Sequence, residues 1–393
     1  MPTEKSDILR MTSGTNTLYA GGGDDTLYWS PELGSYNFHG GDAGERYDTN
    51  VYMDKTGGDR LVIESTAGLR LTFSTTENGL LSTKDSFLNF TGVERIHLGE
   101  GNDTIIASNA ALNKAHFGTP EHGLTLYAGA GNDSIVGSAH DDFIDGGSGN
   151  DTIRAGAGSD FIQSSTGDDL IFGGTGNDNI RWGQGNFEEI IGNDTIYGGA
   201  GNDLINIWIK SGWDNSDGVE VTVTRVNADG STRGSAWTDI GGAHSDLRFQ
   251  GFEMIWTHEG RDTINGANAV IGADGNGFHG NARWGDDIVI GSRGNDTLEG
   301  GEGRDTITGG AGNDLISANG DFYRMDAPGD GVRDVLIFQR GFGHDTVLGF
   351  DTGIDALKLD SGMTYSAKEI AGGTQLTFAS GDSIFLSNVY DFI

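Results

Sequence analysis

Residues 128–181 repeat every nine positions, six times in register, as AGAGNDSIV, GSAHDDFID, GGSGNDTIR, AGAGSDFIQ, SSTGDDLIF and GGTGNDNIR. The sixth position is always aspartate: Asp133, Asp142, Asp151, Asp160, Asp169 and Asp178. The eighth is always isoleucine: Ile135, Ile144, Ile153, Ile162, Ile171 and Ile180. So short a unit cannot bury an apolar face alone, and an unbroken period therefore means that copies stack on one another. Positions one to four are glycine-rich and suit a sharp turn with positive φ. Positions seven to nine read as three residues of strand, the eighth pointing inward and its neighbours outward. Two blocks make one coil of turn, strand, turn and strand. Stacked coils bring strands about 4.8 Å apart and line the isoleucines into a thin core.

The aspartates then fall into two rows, Asp133, Asp151 and Asp169 on one edge and Asp142, Asp160 and Asp178 on the other. Carboxylates stacked so closely repel. A hard divalent cation between turns converts the repulsion into binding, with turn carbonyls as further oxygen ligands; magnesium suits the arrangement less, since it demands a tight octahedron and keeps its waters. Related blocks place Asp25 (AGGGDDTLY) and Asp103 (LGEGNDTII) before the tract and Asp194 and Asp203 after a break at WGQGNFEEI. A second tract at 282–317 reads ARWGDDIVI, GSRGNDTLE, GGEGRDTIT and GGAGNDLIS, with Asp287, Asp296, Asp305 and Asp314 at the sixth position. Asp314 ends that tract, and a neighbour on one side only is expected for it. Asp262 and, in a degenerate turn, Asp345 complete the set of candidate metal ligands.

These blocks resemble the glycine- and aspartate-rich nonapeptides of the repeats-in-toxin (RTX) family, the hemolysin-type calcium-binding repeats. That nonapeptide is a known calcium-binding repeat, so calcium, in several copies, follows from the resemblance. The resemblance also implies a right-handed parallel β-roll, metal at its edges, and export by type I secretion machinery. The competing reading, a disordered Gly/Asp-rich tract, gives no reason for a nine-residue register.

Composition supports this picture. Lys plus Arg is 24 against 58 Asp plus Glu, a formal net charge of −34, and glycine is 68 of 393 residues. Without metal that charge opposes compaction. It also excludes nucleic acid as a partner, which calls for Lys and Arg, and argues against anionic lipid. Cysteine is absent, so neither disulfides nor a thiolate zinc site can staple the chain. The segment MPTEKSDILR lacks the apolar core of a cleavable signal peptide, and no run is long and apolar enough for a membrane span. The last residues, Asp391, Phe392 and Ile393, resemble the acidic and hydrophobic ending of type I substrates. Secretion through a C-terminal uncleaved signal is therefore expected.

Two stretches, 29–97 and 207–259, interrupt the repeats and carry alternating apolar residues such as Leu69, Leu71 and Phe73, or Val219, Val221 and Val223. Both end alike: FTGVERIHLGEGNDTI from Phe90 and FQGFEMIWTHEGRDTI from Phe249 align without gaps at an offset of 159 residues. The match pairs Glu94 with Glu253 and Asp103 with Asp262 and runs on to Asn109-Ala110 and Asn268-Ala269. The expected organisation is all-β: degenerate repeats with a β insertion (1–127), a first calcium roll (128–206), a β insertion (207–259), a second roll (260–317), and a C-terminal β cap with the secretion signal (318–393). The cap contains a hairpin turning at Ser380-Gly381-Asp382.

Catalytic patterns are sparse. There is no HExxH zinc helix and no GxSxG elbow, and His258-Glu259 runs into a turn. The nine histidines are scattered, and His140 and His344 sit in repeat turns. Adjacent aspartates such as Asp141-Asp142 fit turn positions five and six. The acidic run DAPGDGVRD at 326–334 reads as a solvated loop. Trp29, Trp182, Trp208, Trp213, Trp237, Trp256 and Trp284 lie mostly at tract ends or in the insertions, where they would seal roll against insertion or offer faces to sugars. The expected role is structural or adhesive, at the cell surface or in extracellular matrix. The alternative is an extracellular polysaccharide-binding or polysaccharide-modifying protein, lyase- or epimerase-like, with its site in the insertions.

Overall fold

A computed structural model describes residues 5–13, 17–41, 58–111, 123–183, 191–209, 218–240, 243–319, 325, 329–390 and 392. Trp213, Asp391, Ile393, part of the 326–334 run and most of WGQGNFEEI lie outside them. The chain divides into two units, residues 1–181 with 191–201, and residues 182–190 with 202–393.

In the repeat tract the three-residue strands fall where the period puts them. Ser134–Val136, Phe143–Asp145 and Phe161–Gln163 each occupy positions seven to nine. Thr152–Ala157 and Leu170–Thr175 run on through the next glycines. Consecutive strands alternate between two sheets, and every pairing in the tract is parallel at one coil's separation, as in Ile135↔Ile153↔Ile171 and Ile144↔Ile162↔Ile180. All six isoleucines are fully buried. Each contributes roughly 1.5–3 kcal/mol by leaving water. The chain is a parallel β-roll. Glycine is required where turns stack: Gly147 has φ 88°, and a Cβ on it would strike the carbonyl oxygen of Gly129 on the adjacent turn.

One outward position behaves differently from expectation. Phe143 and Phe161, at the seventh position, are buried rather than exposed. They stack on each other at 5.4 Å, with Tyr127 and His97 continuing the row and the Arg181 guanidinium 5.0 Å over Phe161. Rungs about 4.8 Å apart bring aromatic faces into contact, so outward rings cover one another.

Each unit carries a three-stranded antiparallel meander inside one of its sheets. In the first unit Arg70–Thr75, Asn78–Ser82 and Phe87–Thr91 pair antiparallel in sequence. The outer two then join the roll in parallel, Phe87–Thr91 to Tyr36–His39 and Arg70–Thr75 to Thr104–Ile106. In the second unit Glu220–Val226, Thr232–Ile240 and Ala243–Phe252 also pair antiparallel in sequence, and Glu220–Val226 joins the roll in parallel with Thr263–Asn265. The inward residues are those of the alternating pattern, Leu69, Leu71, Phe73, Val219, Val221 and Val223, all buried.

Much of 29–97 proves to be roll: Tyr36–His39 and Arg60–Ile63 are ordinary parallel rungs. Regular rungs also continue beyond 317 through Val335–Phe338, His344–Leu348 and Ala356–Leu359. Ser383–Ser387 pairs in parallel with His344–Leu348 and antiparallel with Gly373–Phe378, which closes the expected hairpin.

Candidate metal centre

Every candidate aspartate immediately precedes a strand or stands second in one, so the roll's backbone fixes its position. Each aligned carboxylate accepts a hydrogen bond from the backbone N–H of the rung before it. Along one edge of the first unit the bonds run Asp103 N–H to Asp133, Asp133 to Asp151, Asp151 to Asp169 and Asp169 to Asp194, all at 2.7–2.8 Å. Leu69 N–H opens that row by donating to Asp103. Along the other edge Asp142 N–H donates to Asp160 and Asp160 to Asp178, at 2.8 and 2.9 Å. The two rows read from the period are thus two hydrogen-bonded ladders. Further down the same edge Asp7 N–H donates to Asp25, Asp25 to Asp59, and Asp59 to Glu94. Leu124 then holds the acidic position and interrupts the ladder.

The second unit repeats the scheme. Val219 N–H donates to Asp262, Asp262 to Asp287, Asp287 to Asp305, Asp305 to Asp334 and Asp334 to Asp355. On its other edge Phe278 N–H donates to Asp296, Asp296 to Asp314 and Asp314 to Asp345, while Asp203 N–H donates to Glu253. Asp314 therefore has acidic neighbours on both sides, contrary to the end position expected for it, because the ladder passes beyond the last clean repeat. Asp59, Glu94, Glu253, Asp334 and Asp355 are members that the sequence reading missed. What remains of the motif there is its second half, an acidic residue followed by a polar or apolar residue and an inward apolar one, as in Asp59-Arg60-Leu61 or Asp334-Val335-Leu336, with a glycine at position four before Asp59, Glu94, Glu253 and Asp355.

A second ladder of opposite polarity runs through position five. Asn132 N–H donates back to Asn102 Oδ1, Asn150 to Asn132, Asp168 to Asn150 and Asn193 to Asp168. Position six thus receives from the rung before and position five from the rung after, and each turn is stapled in both directions. The recurrent Asn at position five has this structural role.

The sixth-position carboxylates use one oxygen in the ladder. The second oxygen, Oδ2, of Asp133, Asp151, Asp160, Asp169, Asp287, Asp305, Asp314 and Asp345 is buried and has no hydrogen-bond partner. A buried polar atom left so is costly unless a further group satisfies it. Backbone oxygens stand beside these carboxylates. Next to Gly173, Asp178 Oδ2 converges with the Gly198 carbonyl, in space that a side chain at Gly173 would fill. Burial pushes the Asp160 and Asp169 carboxyls up to about 9 and Asp151 to about 8, and like charges on adjacent rungs add to the rise. Burial likewise raises Asp305 and Asp314 to about 7 and Asp334 and Asp345 to about 8. It also raises Asp262 and Asp287, which stand on adjacent rungs.

Unaided, these rows cannot all ionise at neutral pH. A divalent cation supplies the missing positive charge, and the donor set of carboxylate and carbonyl oxygens is what a hard ion such as calcium takes. Among the described residues no three acidic or imidazole side chains converge on one point, so backbone carbonyls would have to complete each coordination shell.

Two sixth-position residues are satisfied from within. Ser138 donates its N–H to Asp142 Oδ2 and its hydroxyl to Oδ1, at 2.6 and 2.7 Å. Ser292 does the same for Asp296, at 2.6 and 2.9 Å. Both blocks begin Gly-Ser; serine at position two is not sufficient, since Ser165 in SSTGDDLIF donates to Asp145 and leaves Asp169 Oδ2 without a hydrogen-bond partner.

The sequence profile of the RTX calcium-binding nonapeptide repeat matches residues 4–28, 89–111, 125–153, 154–186, 191–206 and 282–316. No curated protein matches the chain. Among solved structures the extracellular lipase LipA from Serratia marcescens aligns at 18% identity and a TM-score of 0.24, over 75% of this chain and 44% of that one. The chain thus spans less than half the length of that lipase, and so distant a likeness adds nothing about activity. Profile, coil period and carboxylate ladders agree: the matched segments are RTX calcium-binding nonapeptide repeats, and repeats of this kind bind several calcium ions.

Proposed function

We propose that the protein is exported unfolded, folds outside the cell on binding calcium, and serves a structural or adhesive role at the cell surface or in extracellular matrix. The observation that carries this reading is the set of buried carboxylates whose second oxygen has no partner. In calcium-poor cytosol they oppose folding, and extracellular modules typically bind calcium at about 10⁻⁴–10⁻³ M. The ladder aspartates would hold the ions, Asp142 and Asp296 being the exceptions. Circular dichroism should show coil in EGTA and a steep gain of β signal at millimolar calcium. A chelated protein as ordered as the calcium form would sink the proposal. Export would be tested by deleting residues 361–393 in a host carrying a type I transporter: retention of the truncated chain supports a C-terminal signal, and undiminished secretion places it elsewhere. A second reading, polysaccharide binding through the insertions, is favoured by Trp237, which is 38% exposed on the second meander beside His244. A glycan array probed with and without calcium tests it.

A further inference from the structure

A cleft of about 550 Å³ opens among the turns of the second unit, walled by Trp284 and Val332 and rimmed by Arg261, Asp286, Glu302 and Asp330. None of these four charged residues stands at a sixth position of the repeat; Arg261 and Asp286 stand at position five, and the cleft borders the turn that carries Asp287.

Its aromatic wall depends on a departure from the repeat. The block ARWGDDIVI puts Arg283 at position two, where later blocks have Gly301 and Gly310. Those glycines have φ of 105° and 102°, and Arg283 keeps the same left-handed region at 71°, which L side chains rarely adopt. The guanidinium lies over Trp256 and Trp284, 5.2 and 4.7 Å from the ring centroids. Its Nη1 meets His258 Nε2 at 3.2 Å, and His258 stacks on Trp208 at 3.9 Å. Arg283 and His258 are buried. Strained backbone that survives in a tightly over-determined cluster is characteristic of functional sites. Here the cluster orients the half-buried Trp284 indole as one wall of the cleft.

The rim is anionic. Among the described residues Arg261 reaches only Asp286, at 3.6 Å, while the other Asp286 oxygen accepts the Arg304 N–H. Asp330 accepts the N–H groups of Gly303 and Val332. The Glu302 carboxylate has no hydrogen-bond or ion-pair partner among the described residues. Three carboxylates against two guanidinium groups, Arg261 on the rim and the buried Arg283 over the indole, still leave surplus negative charge, on a chain of net charge −34. Among the described residues no three acidic side chains gather here round one point, so a metal would need turn carbonyls as well. Surplus charge with an aromatic face favours an organic cation.

We infer that this cleft binds a primary ammonium or guanidinium group, with Glu302 as its counter-charge and Trp284 as its wall. Such a group can come from a free diamine or from a lysine side chain. Titration calorimetry on the calcium-loaded full chain at low salt, with cadaverine and with Nα-acetyl-lysine amide, separates these two sources, and pentanediol serves as the neutral control. At least one amine should bind and the diol should not. Glu302→Gln and Trp284→Ala should each weaken binding on the order of tenfold, as loss of a desolvated cation contact implies, with circular dichroism and the calcium midpoint unchanged. Should Trp284→Ala disturb the fold, Glu302→Gln decides alone. Equal binding of the diol, unchanged affinity in Glu302→Gln, absence of binding by either amine, or displacement by added calcium at constant ionic strength each overturns the inference.

Discussion

Two kinds of aspartate occupy the sixth position, and one hydroxyl separates them. Asp151 gives Oδ1 to the ladder and leaves Oδ2 buried without a partner, whereas Asp142 has both oxygens satisfied by Ser138 and the Leu124 N–H. The first calls for a cation and the second does not. Asp151→Asn should therefore raise the calcium midpoint of folding several-fold. Asp142→Asn should leave that midpoint within about twofold and instead lower the melting temperature of the loaded protein, since weakening a buried hydrogen-bonded group costs about 1–3 kcal/mol. Calcium titrations and melts followed by circular dichroism read both quantities, and equal midpoint shifts would mean that the serine-capped carboxylates are ligands too. The sixteen aspartates were legible because a fixed residue at a fixed period stands out. Glu94 and Asp355 were not, because one glycine each, Gly92 and Gly353, is all that is left of the glycine-rich half of their blocks and an acidic residue before a short strand is common. The serine caps needed the structure, since Ser165 also stands at position two and caps no sixth-position carboxylate.

At the scale of elements, the aligned segments of the two units perform the same tasks. Glu94 and Glu253 each accept from an aspartate N–H of the preceding rung, and Ala110 and Ala269 each close a tight turn by donating back three residues. Phe90 and Phe249 each lie across a meander pair from a glycine, Gly79 and Gly234. A Cβ on Gly234 would come within 2.4 Å of the Thr222 carbonyl oxygen and 2.5 Å of the Phe249 ring, so backbone and ring together leave no room for more. Gly234→Ala should lower the melting temperature of the calcium-loaded protein through an overpacking cost of about 1–3 kcal/mol. Phe249→Leu should recover part of that loss in the double variant, a non-additivity that calorimetry would measure. Purely additive losses would place the strain elsewhere. The inward faces of the meanders could be read from alternation alone. Their antiparallel order could not, because alternation fixes which side chains face the core and not which strand a backbone pairs with. For the same reason Tyr36–His39 and Arg60–Ile63, short and without glycine-rich turns in register, looked like insertion and are rungs of the roll.

Over the whole molecule, the net charge of −34 and the buried ladders set a single balance among protons, calcium and folding. The carboxyls of Asp151, Asp160 and Asp169 rise to about 8, 9 and 9 in the folded chain, from about 3.9 in an unfolded one. Between those limits the metal-free folded state holds more protons than the unfolded state, so its stability falls as pH rises. The sign is that of an acid with a raised pKa: its contribution is fully present below about pH 4 and is lost as pH passes through about 8 to 9. Calcium must displace these protons, because only the carboxylate ligates, so binding releases protons and tightens with pH. In EGTA, β signal should therefore appear on acidification toward about pH 5 and vanish by pH 8. In calcium the folded state should persist at pH 8, with a midpoint concentration that falls as pH is raised from 6 to 8. Titration calorimetry in two buffers of different ionisation enthalpy would count the protons released. A calcium midpoint indifferent to pH, together with heats independent of buffer, would mean that the ladders are already ionised without metal and that some other contact keeps the metal-free chain open.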